Sequence, residues 1–301
     1  MDIVPFEGWS RCLRIVSGDH EIVVTTEVGP RVLFLGRSGG PNMLAVYARH
    51  RGQVGGTAYK SYGGHRLWTA PEIASRTYEP DNEPVELQET EHGIALTTPL
   101  GPTRLQRQIC IDVEPDSGAF ILDHRVKNFG KSTVEVAPWC LSVMAPGGTC
   151  LFPQAEFVPH TESLLPVRPI VMWSYTKMSD ERWTWGDRVI RLRQTTAQTP
   201  QKIGACVDQG YAAYALHGDV FFKRFPYDSE ASYPDFGVNF EAYTREDMLE
   251  IESLGPLTRL EPGDSISHRE TWYLVHDAHV PDDDDACAEW LAQLGSRLPM
   301  L

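Results

Sequence analysis

Two glutamates, Glu250 and Glu252, alternate with Leu249 and Ile251 in the segment 248–256. Successive side chains of an extended strand point to opposite faces, so a strand that buries the leucine and isoleucine presents both carboxylates on its other face. On a concave, partly closed face, such a pair of like charges pushes its titrations apart, which suits general acid–base chemistry. The alternative is an exposed strand with a polar, solvated face, which is normal on antiparallel sheets.

A second group of chemically capable residues follows a diglycine, where Gly63 and Gly64 precede His65, Arg66 and Trp68. The diglycine allows the backbone to approach a ligand closely. Arginine can hold hydroxyls or a carboxylate in a fixed fork, and histidine can exchange protons with a sugar oxygen. Tryptophan offers a flat apolar face to a pyranose ring. The alternative is a structural loop in which Arg66 pairs with an acid and Trp68 packs in the core.

Further candidates lie in aromatic surroundings. The segment 172–187 carries Trp173, Tyr175, Trp183 and Trp185 at irregular spacing, which suits carbohydrate stacking and core packing equally well. Lys223 lies within the aromatic run 220–225, on the same face as two phenylalanines if that run is a strand. It could contact a substrate oxygen or extend its ammonium group to the surface.

Other chemistries are not indicated. The chain has no phosphate-loop or HExxH motif, and its glycine clusters do not form a dinucleotide fingerprint. The histidines are scattered, without the spacing of metal ligands. We therefore expect neither a cofactor nor a metal.

Composition and charge restrict the partners and the compartment. The 301 residues carry a formal net charge of -14, which argues against nucleic acid and against an anionic membrane surface. No long apolar run predicts a transmembrane helix, and the N-terminus lacks the features of a signal peptide. The six cysteines are far apart and form no CxxC pair, which predicts free thiols and a cytoplasmic location.

The elements that must position these residues are mainly strands. Short β-rich runs separated by Gly, Pro and Asp turns, with no helices alternating between them, predict an antiparallel all-β protein with a single domain over residues 1–301. Two long irregular segments, 53–82 and 154–187, interrupt the strands and are expected to be functional loops or lids.

One helix is predicted near the C-terminus. Asp283 to Asp285 supply its N-cap and favourable negative charge, and Cys287, Trp290, Leu291 and Leu294 form an apolar stripe. Gly295 is predicted to end it.

The order of motifs resembles that of the galactose mutarotase-like superfamily, which includes the aldose 1-epimerases. The resemblance lies in an opening Gly29-Pro30-Arg31-Val32 and in a closing segment from Gly255-Pro256 through Pro262-Gly263-Asp264 to Glu270-Thr271-Trp272-Tyr273-Leu274. More closely, segments 64–68, 127–130, 233–235 and 248–256 resemble an uncharacterised bacterial branch, the DUF4380 family. The resemblance covers most of the chain and implies a β-supersandwich of antiparallel sheets with a short C-terminal helix.

The resemblance also implies a catalytic base. Mutarotases use a glutamate in a Leu-Glu-x-Gln pattern, and Leu249-Glu250-Ile251-Glu252 matches it with Glu250 as the base and Glu252 in place of glutamine. A shift of the alignment would make Glu252 the base. The family's acid is a histidine in mid-chain, but residues 128–144 contain none and Trp139 occupies that region. The proton donor is then expected to be His65, another histidine such as His160, or a protonated member of the glutamate pair.

These expectations combine into an isomerase of the aldose 1-epimerase type that acts on a small-molecule carbohydrate. The alternatives are another sugar-modifying enzyme (a lyase, isomerase or hydrolase) and a non-catalytic carbohydrate-binding protein. A homodimer is left open. The expected catalytic residues are Glu250, His65 and Glu252, and the expected substrate-binding residues are Arg66, Trp68, Lys223, Trp139 and Asp235.

Overall fold

Two large antiparallel sheets contain most of the regular secondary structure in the computed structural model, which describes residues 1–298. The antiparallel all-β architecture predicted from the strand pattern is therefore confirmed. Across the first sheet the strands follow in the order β1 (Asp2–Phe6), β2 (Trp9–Ser17), β3 (His20–Thr25), β4 (Arg31–Arg37), β5 (His65–Ala70), β10 (Val134–Met144), β19 (Met248–Leu254), β18 (Phe240–Arg245), β15 (Gln201–Ala205) and β12 (Ile170–Met172), and β20 (Thr258–Leu260) pairs with β10.

The second sheet has ten strands. They follow in the order β13 (Trp183–Trp185), β14 (Val189–Arg193), β11 (Thr149–Pro153), β16 (Tyr211–Leu216), β17 (Asp219–Arg224), β21 (Ser265–Val275), β9 (Phe120–Asn128), β8 (Leu105–Val113), β7 (Gly93–Thr97) and β6 (Glu86–Glu89). Short helices α1 (Ala74–Thr77) and α2 (Pro234–Gly237) and a 3-10 turn (Ala48–His50) lie in connections, and α3 (Asp284–Arg297) follows the last strand.

The main core fills the space between the sheets. It takes Leu67, Leu249 and Ile251 from the first sheet and Phe221 and Trp272 from the second, all buried. Because strand side chains alternate, the same strands of the first sheet expose a second set of residues on the face away from the core. That second face carries the candidate site.

Strand β5 lies inside the segment 53–82 that the sequence indicated to be irregular. Gly63 and Gly64 precede it with φ angles of 85° and 69°, and a Cβ on either would lie 2.2 Å from the carbonyl oxygen of Ala45 or Val32. The diglycine therefore allows a close approach between backbones rather than between backbone and ligand. The second irregular segment likewise contains strands, since β12 and β13 lie within 154–187.

Helix α3 packs against the outer face of the second sheet. The Asp283 side chain accepts a hydrogen bond from the Ala286 amide, as the N-cap prediction requires. Cys287, Leu291 and Leu294 are buried against this face. The prediction that Gly295 ends the helix is wrong, because Gly295 lies inside α3.

All six cysteines are free, in agreement with their spacing. Among residues 1–298, no helix combines the length and apolar character needed to cross a membrane.

Candidate functional site

A cavity of about 490 Å³ lies on the face of the first sheet that points away from the core. Five neighbouring strands, β5, β10, β19, β18 and β15, form its floor, and residues from the connections 49–61, 72–78 and 173–175 form its walls. Its lining residues are Arg49, Tyr59, Ser61, Arg66, Trp68, Glu72, Tyr78, Trp139, Leu141, Trp173, Tyr175, Lys202, Tyr243, Arg245, Met248 and Glu250.

The strand register explains which residues meet on this floor. Trp68 on β5 lies opposite Trp139 on β10, and Glu250 on β19 lies opposite Tyr243 on β18. Directly paired residues of antiparallel strands share a face, so residues that are distant in sequence form one continuous surface. Lys202 on β15 pairs with Tyr243 and extends this surface.

Aromatic rings make up much of the surface. The Trp68 ring packs edge-on against Trp139 at 5.4 Å and against Tyr78 at 5.2 Å between centroids. The guanidinium carbon of Arg66 lies 3.7 Å from the centroid of the Trp68 ring, a cation–π arrangement that fixes the guanidinium in the cavity wall. Rigid aromatic faces beside a fixed cation suit the binding of a polar ring with apolar faces.

Glu250 is the carboxylate of the pair that reaches the cavity. It is only 8% exposed, and its Oε1 lies 3.6 Å from Nη2 of Arg66. Burial, followed by the negative charge of Glu252, raises the pKa of Glu250 to about 7, although the positive charge of Arg66 opposes the shift. The raised pKa that the sequence predicted therefore falls on Glu250, with burial rather than charge coupling as its main cause.

Glu252 lies on the same strand face but is fully buried beneath the cavity. Its Oε2 accepts hydrogen bonds from Nε1 of Trp139 at 2.7 Å and from Nζ of Lys202 at 3.0 Å. Lys202 also lies 2.6 Å from Oε2 of Glu241. Burial lowers the pKa of Lys202, but the two carboxylates outweigh burial and hold that pKa above its ordinary value. Glu252 thus anchors Trp139 and Lys202, which form part of the cavity floor.

A second cavity of about 450 Å³ adjoins the first and shares Glu72, Tyr78, Trp139 and Trp173 with it. Asp235, a predicted binding residue, lines this second cavity and not the first. Asp235 and Phe236 have φ angles of 50° and 65°, and Phe236 is 91% exposed. Non-glycine residues in this region of backbone space are uncommon and concentrate at functional sites.

His65 is not in the cavity, which corrects the prediction that it is the proton donor there. Because β5 is a strand, Arg66 and Trp68 face the cavity while His65 points into the space between the sheets. Its Nδ1 lies 2.8 Å from Oγ of Ser142, and its Nε2 lies 2.7 Å from Nε2 of His124. Burial lowers the pKa of His65 well below its ordinary value.

Lys223 also lies between the sheets, so the prediction that it contacts substrate is wrong for this cavity. Its side chain is completely buried, and Nζ lies 2.9 Å from Oε1 of Glu270. Burial raises the pKa of Glu270, but the charge of Lys223 and the other polar groups around it together outweigh burial and hold that pKa below its ordinary value. The strand pattern had already placed Lys223 on the face of Phe221 and Phe225, and that face is the core.

The same interior cluster contains two sets of side chains close enough to bind a metal ion: His65, His124 and Glu270, and Cys140, His268 and Glu270. The donor atoms of the first set are already engaged. His124 Nδ1 bonds the backbone carbonyl of His268, and Glu270 accepts hydrogen bonds from Ser253 and Trp272 as well as from Lys223. In the first set a metal ion would have to displace these bonds, so that set fits a structural polar network between the sheets.

Of the remaining candidate residues, some line the cavity and others lie away from it. Trp173 and Tyr175 line the cavity, whereas Trp183 and Trp185 stack on each other at 5.1 Å and pack against the core. His160 is exposed and lines neither cavity.

Sequence reasoning missed several residues of the cavity. These are Arg49, Tyr59, Tyr78, Lys202, Tyr243 and Arg245. Lys202 and Tyr243 lie in strands whose sequences alternate, so the face of each strand that carries them could be predicted. Which strands lie next to each other could not. Tyr59 lies in a connection without periodicity and offered no signal.

No protein-family model matches the chain, and no curated protein is similar to it in sequence. Solved structures are similar in fold. A proposed aldose 1-epimerase from Klebsiella pneumoniae superposes with a TM-score of 0.59 at 14% identity, covering 98% of this chain and 86% of that one. A proposed aldose 1-epimerase from Escherichia coli K12 gives 0.54 at 10% identity, covering 88% and 99%.

A galactose mutarotase-like protein from Lactobacillus casei gives a TM-score of 0.52 at 9% identity, covering 88% of this chain and all of that one. Identities this low establish the fold alone. The chain therefore has the galactose mutarotase-like β-sandwich that its motifs predicted. The closer resemblance to the DUF4380 family remains an expectation from the motifs.

Proposed function

We propose that this protein binds a sugar ring in the aromatic cavity and interconverts its anomers by acid–base catalysis, with Glu250 as the base. The observation that carries the proposal is a buried carboxyl in the cavity floor, with a pKa raised to about 7. A general base works best when its pKa lies near the operating pH. The fold, shared with proposed aldose 1-epimerases, supports a carbohydrate-related function.

The proton donor is proposed to be Tyr59, because His65 lies outside the cavity. Nη1 of Arg66 donates a hydrogen bond to the Tyr59 hydroxyl oxygen, and its Nη2 lies 3.6 Å from Glu250. One guanidinium therefore holds both groups beside the same cavity. Within residues 1–298, no acceptor is found for the Tyr59 hydroxyl hydrogen, which leaves it available to a ligand oxygen.

The other donors in the cavity fit this role less well. The Tyr78 hydroxyl donates to Glu72, and Lys202 is held between two carboxylates that keep its proton on it. Burial raises the pKa of Tyr175 and of Tyr243, although the charge of Arg245 opposes the shift of Tyr243, and within residues 1–298 no guanidinium forms a hydrogen bond with either hydroxyl. The guanidinium beside Tyr59 favours the negative charge that its oxygen acquires when the proton leaves.

The reaction balances without an added reactant. Glu250 takes the proton of the anomeric hydroxyl, the bond between the anomeric carbon and the ring oxygen breaks as the carbonyl forms, and Tyr59 gives its proton to the ring oxygen. After rotation about the adjacent carbon–carbon bond, ring closure on the other carbonyl face returns both protons. Arg66 stabilises the negative charge on Glu250 and on the Tyr59 oxygen during the proton transfers. The rings of Trp68 and Trp139 hold the sugar.

Exchange NMR of a panel of aldoses, which measures the rate of anomer interconversion, tests this proposal. Glu250→Gln keeps the shape and removes the base, so turnover is expected to fall by about 10²–10⁴-fold while binding persists. Tyr59→Phe is expected to lower turnover with little change in binding.

The matched control is Tyr227→Phe, since Tyr227 stacks on Tyr233 and lines neither cavity. Full activity of Glu250→Gln refutes the carboxylate mechanism. A wild-type protein that binds sugars but never speeds their anomerisation favours the binding-protein alternative.

A further inference from the structure

The cavity proposed to hold the sugar has a cationic end and an acidic end. Arg49 and Arg245 line the first cavity and not the second. Glu72 lines both cavities, and Asp235 lines only the second. Arg245 lies opposite Met248 at one end of β19, whereas Trp139, which lines both cavities, lies opposite Leu254 at the other end. Arg245 is therefore at the end of the first cavity away from its junction with the second.

Two separate chain segments bring the arginines to this end. Arg49 lies in the 3-10 turn, and Arg245 ends β18, directly opposite Met248 in the register with β19. The guanidinium carbon of Arg49 lies 5.6 Å from the centroid of the Tyr47 ring, and Arg49, Arg245 and Glu250 all line the first cavity. The turn and the hairpin end therefore border the cavity that holds the proposed base.

Both guanidiniums are exposed, and within residues 1–298 neither has a carboxylate oxygen within 4.0 Å. The other two cations of the cavity are paired, Arg66 with Glu250 and Lys202 with Glu241 and Glu252. Because both guanidiniums line the same cavity and contact no carboxylate, they are available to an anionic group of a ligand.

We propose that the sugar carries an anionic group, a phosphate or a carboxylate, and that Arg49 and Arg245 bind this group at the mouth of the cavity. This inference rests on the proposed function. The guanidinium fork matches the oxygens of both groups and forms charge-assisted hydrogen bonds with them. A neutral sugar would leave both arginines to water.

Isothermal titration calorimetry with glucose, glucose 6-phosphate and glucuronate tests the inference. A charge-assisted hydrogen bond is typically worth a factor of about ten or more in affinity, so at least one anionic sugar is expected to bind the wild type about tenfold or more tighter than glucose. The preference should shrink as salt is raised, because both arginines are exposed. Comparison of the two anionic sugars distinguishes a phosphate site from a carboxylate site.

The double variant Arg49→Gln, Arg245→Gln is expected to bind neutral and anionic sugars alike. Arg51→Gln is the matched control, because Arg51 pairs with Glu7 at 2.6 Å and lines neither cavity. It should keep the wild-type preference.

The inference is overturned if the wild type binds glucose as tightly as both anionic sugars, if it binds none of the three, or if the double variant keeps the preference. These outcomes are separate from failure of the proposed function. Anomerisation of a neutral sugar that depends on Glu250 keeps the proposed function without the anionic site. Arginine-dependent binding of an anionic sugar without anomerisation keeps the anionic site and removes the proposed reaction.

Discussion

Replacement of Glu250 by glutamine is predicted to stabilise the protein above neutral pH. Burial and the charge of Glu252 raise the pKa of this carboxyl from 4.5 to about 7. A carboxyl with a higher pKa in the folded than in the unfolded chain binds more protons when folded, so the free energy of unfolding falls as pH rises from about 4.5 to 7. At about 1.4 kcal/mol per pKa unit, the charged form costs the fold roughly 3 kcal/mol above pH 7.

Urea unfolding of wild type and Glu250→Gln at pH 5 and pH 8 measures this cost. Glutamine resembles the protonated carboxyl, so the variant is expected to be more stable by under about 1 kcal/mol at pH 5 and by roughly 3 kcal/mol at pH 8. The comparison is made between the two proteins at each pH, because other buried groups, such as His268 and Glu241, also titrate.

Glu252→Gln is the matched control and is expected to lower the free energy of unfolding, whereas Glu250→Gln is expected to raise it. Glu252 accepts hydrogen bonds from Trp139 and Lys202, and neutralising one member of a buried ion pair costs up to about 3–5 kcal/mol. The reasoning about Glu250 is refuted if its glutamine variant is no more stable than wild type at pH 8, or if the difference between them does not change with pH. A flat difference within about 0.5 kcal/mol would match an exposed polar strand instead.

Three further predictions concern regions outside the site. Lys223→Met leaves the buried carboxylate of Glu270 without its cation and is expected to lower the free energy of unfolding by about 3–5 kcal/mol in urea titrations. Leu291→Ala opens a cavity under α3 and is expected to cost about 2–5 kcal/mol, seen as a lower melting temperature by circular dichroism. Burial lowers the pKa of His268 from 6.5 to about 3, so this group should remove about 2 kcal/mol of stability between pH 7 and pH 5, a slope that His268→Gln should lack in urea titrations.

The strand character of β19 was readable from sequence, because the alternation of Glu250 and Glu252 with Leu249 and Ile251 is a local property of the chain. In the structure the two apolar residues are buried in the core and the two carboxylates lie on the opposite face. The same rule places Arg66 and Trp68 together. Assigning 63–68 to a loop concealed the fact that His65 must then point the other way.

Which strands become neighbours was decided only by the tertiary structure. Lys202, Tyr243, Glu250 and Trp139 meet because β15, β18, β19 and β10 are adjacent, and pairing between strands so distant in sequence depends on burial of the whole sheet. Tyr59 reaches Arg66 from a connection with no periodic pattern.

The sequence by itself determined the fold class and which side chains share a face, since period-two alternation and turn residues act over a few neighbouring residues. It did not determine how deeply each face is buried once the two sheets pack together. The raised pKa of Glu250 on the first sheet and the buried position of Lys223 on the second both depend on that burial, because the desolvation of a charge depends on the density of all surrounding atoms. Long-range packing of the two sheets sets that density.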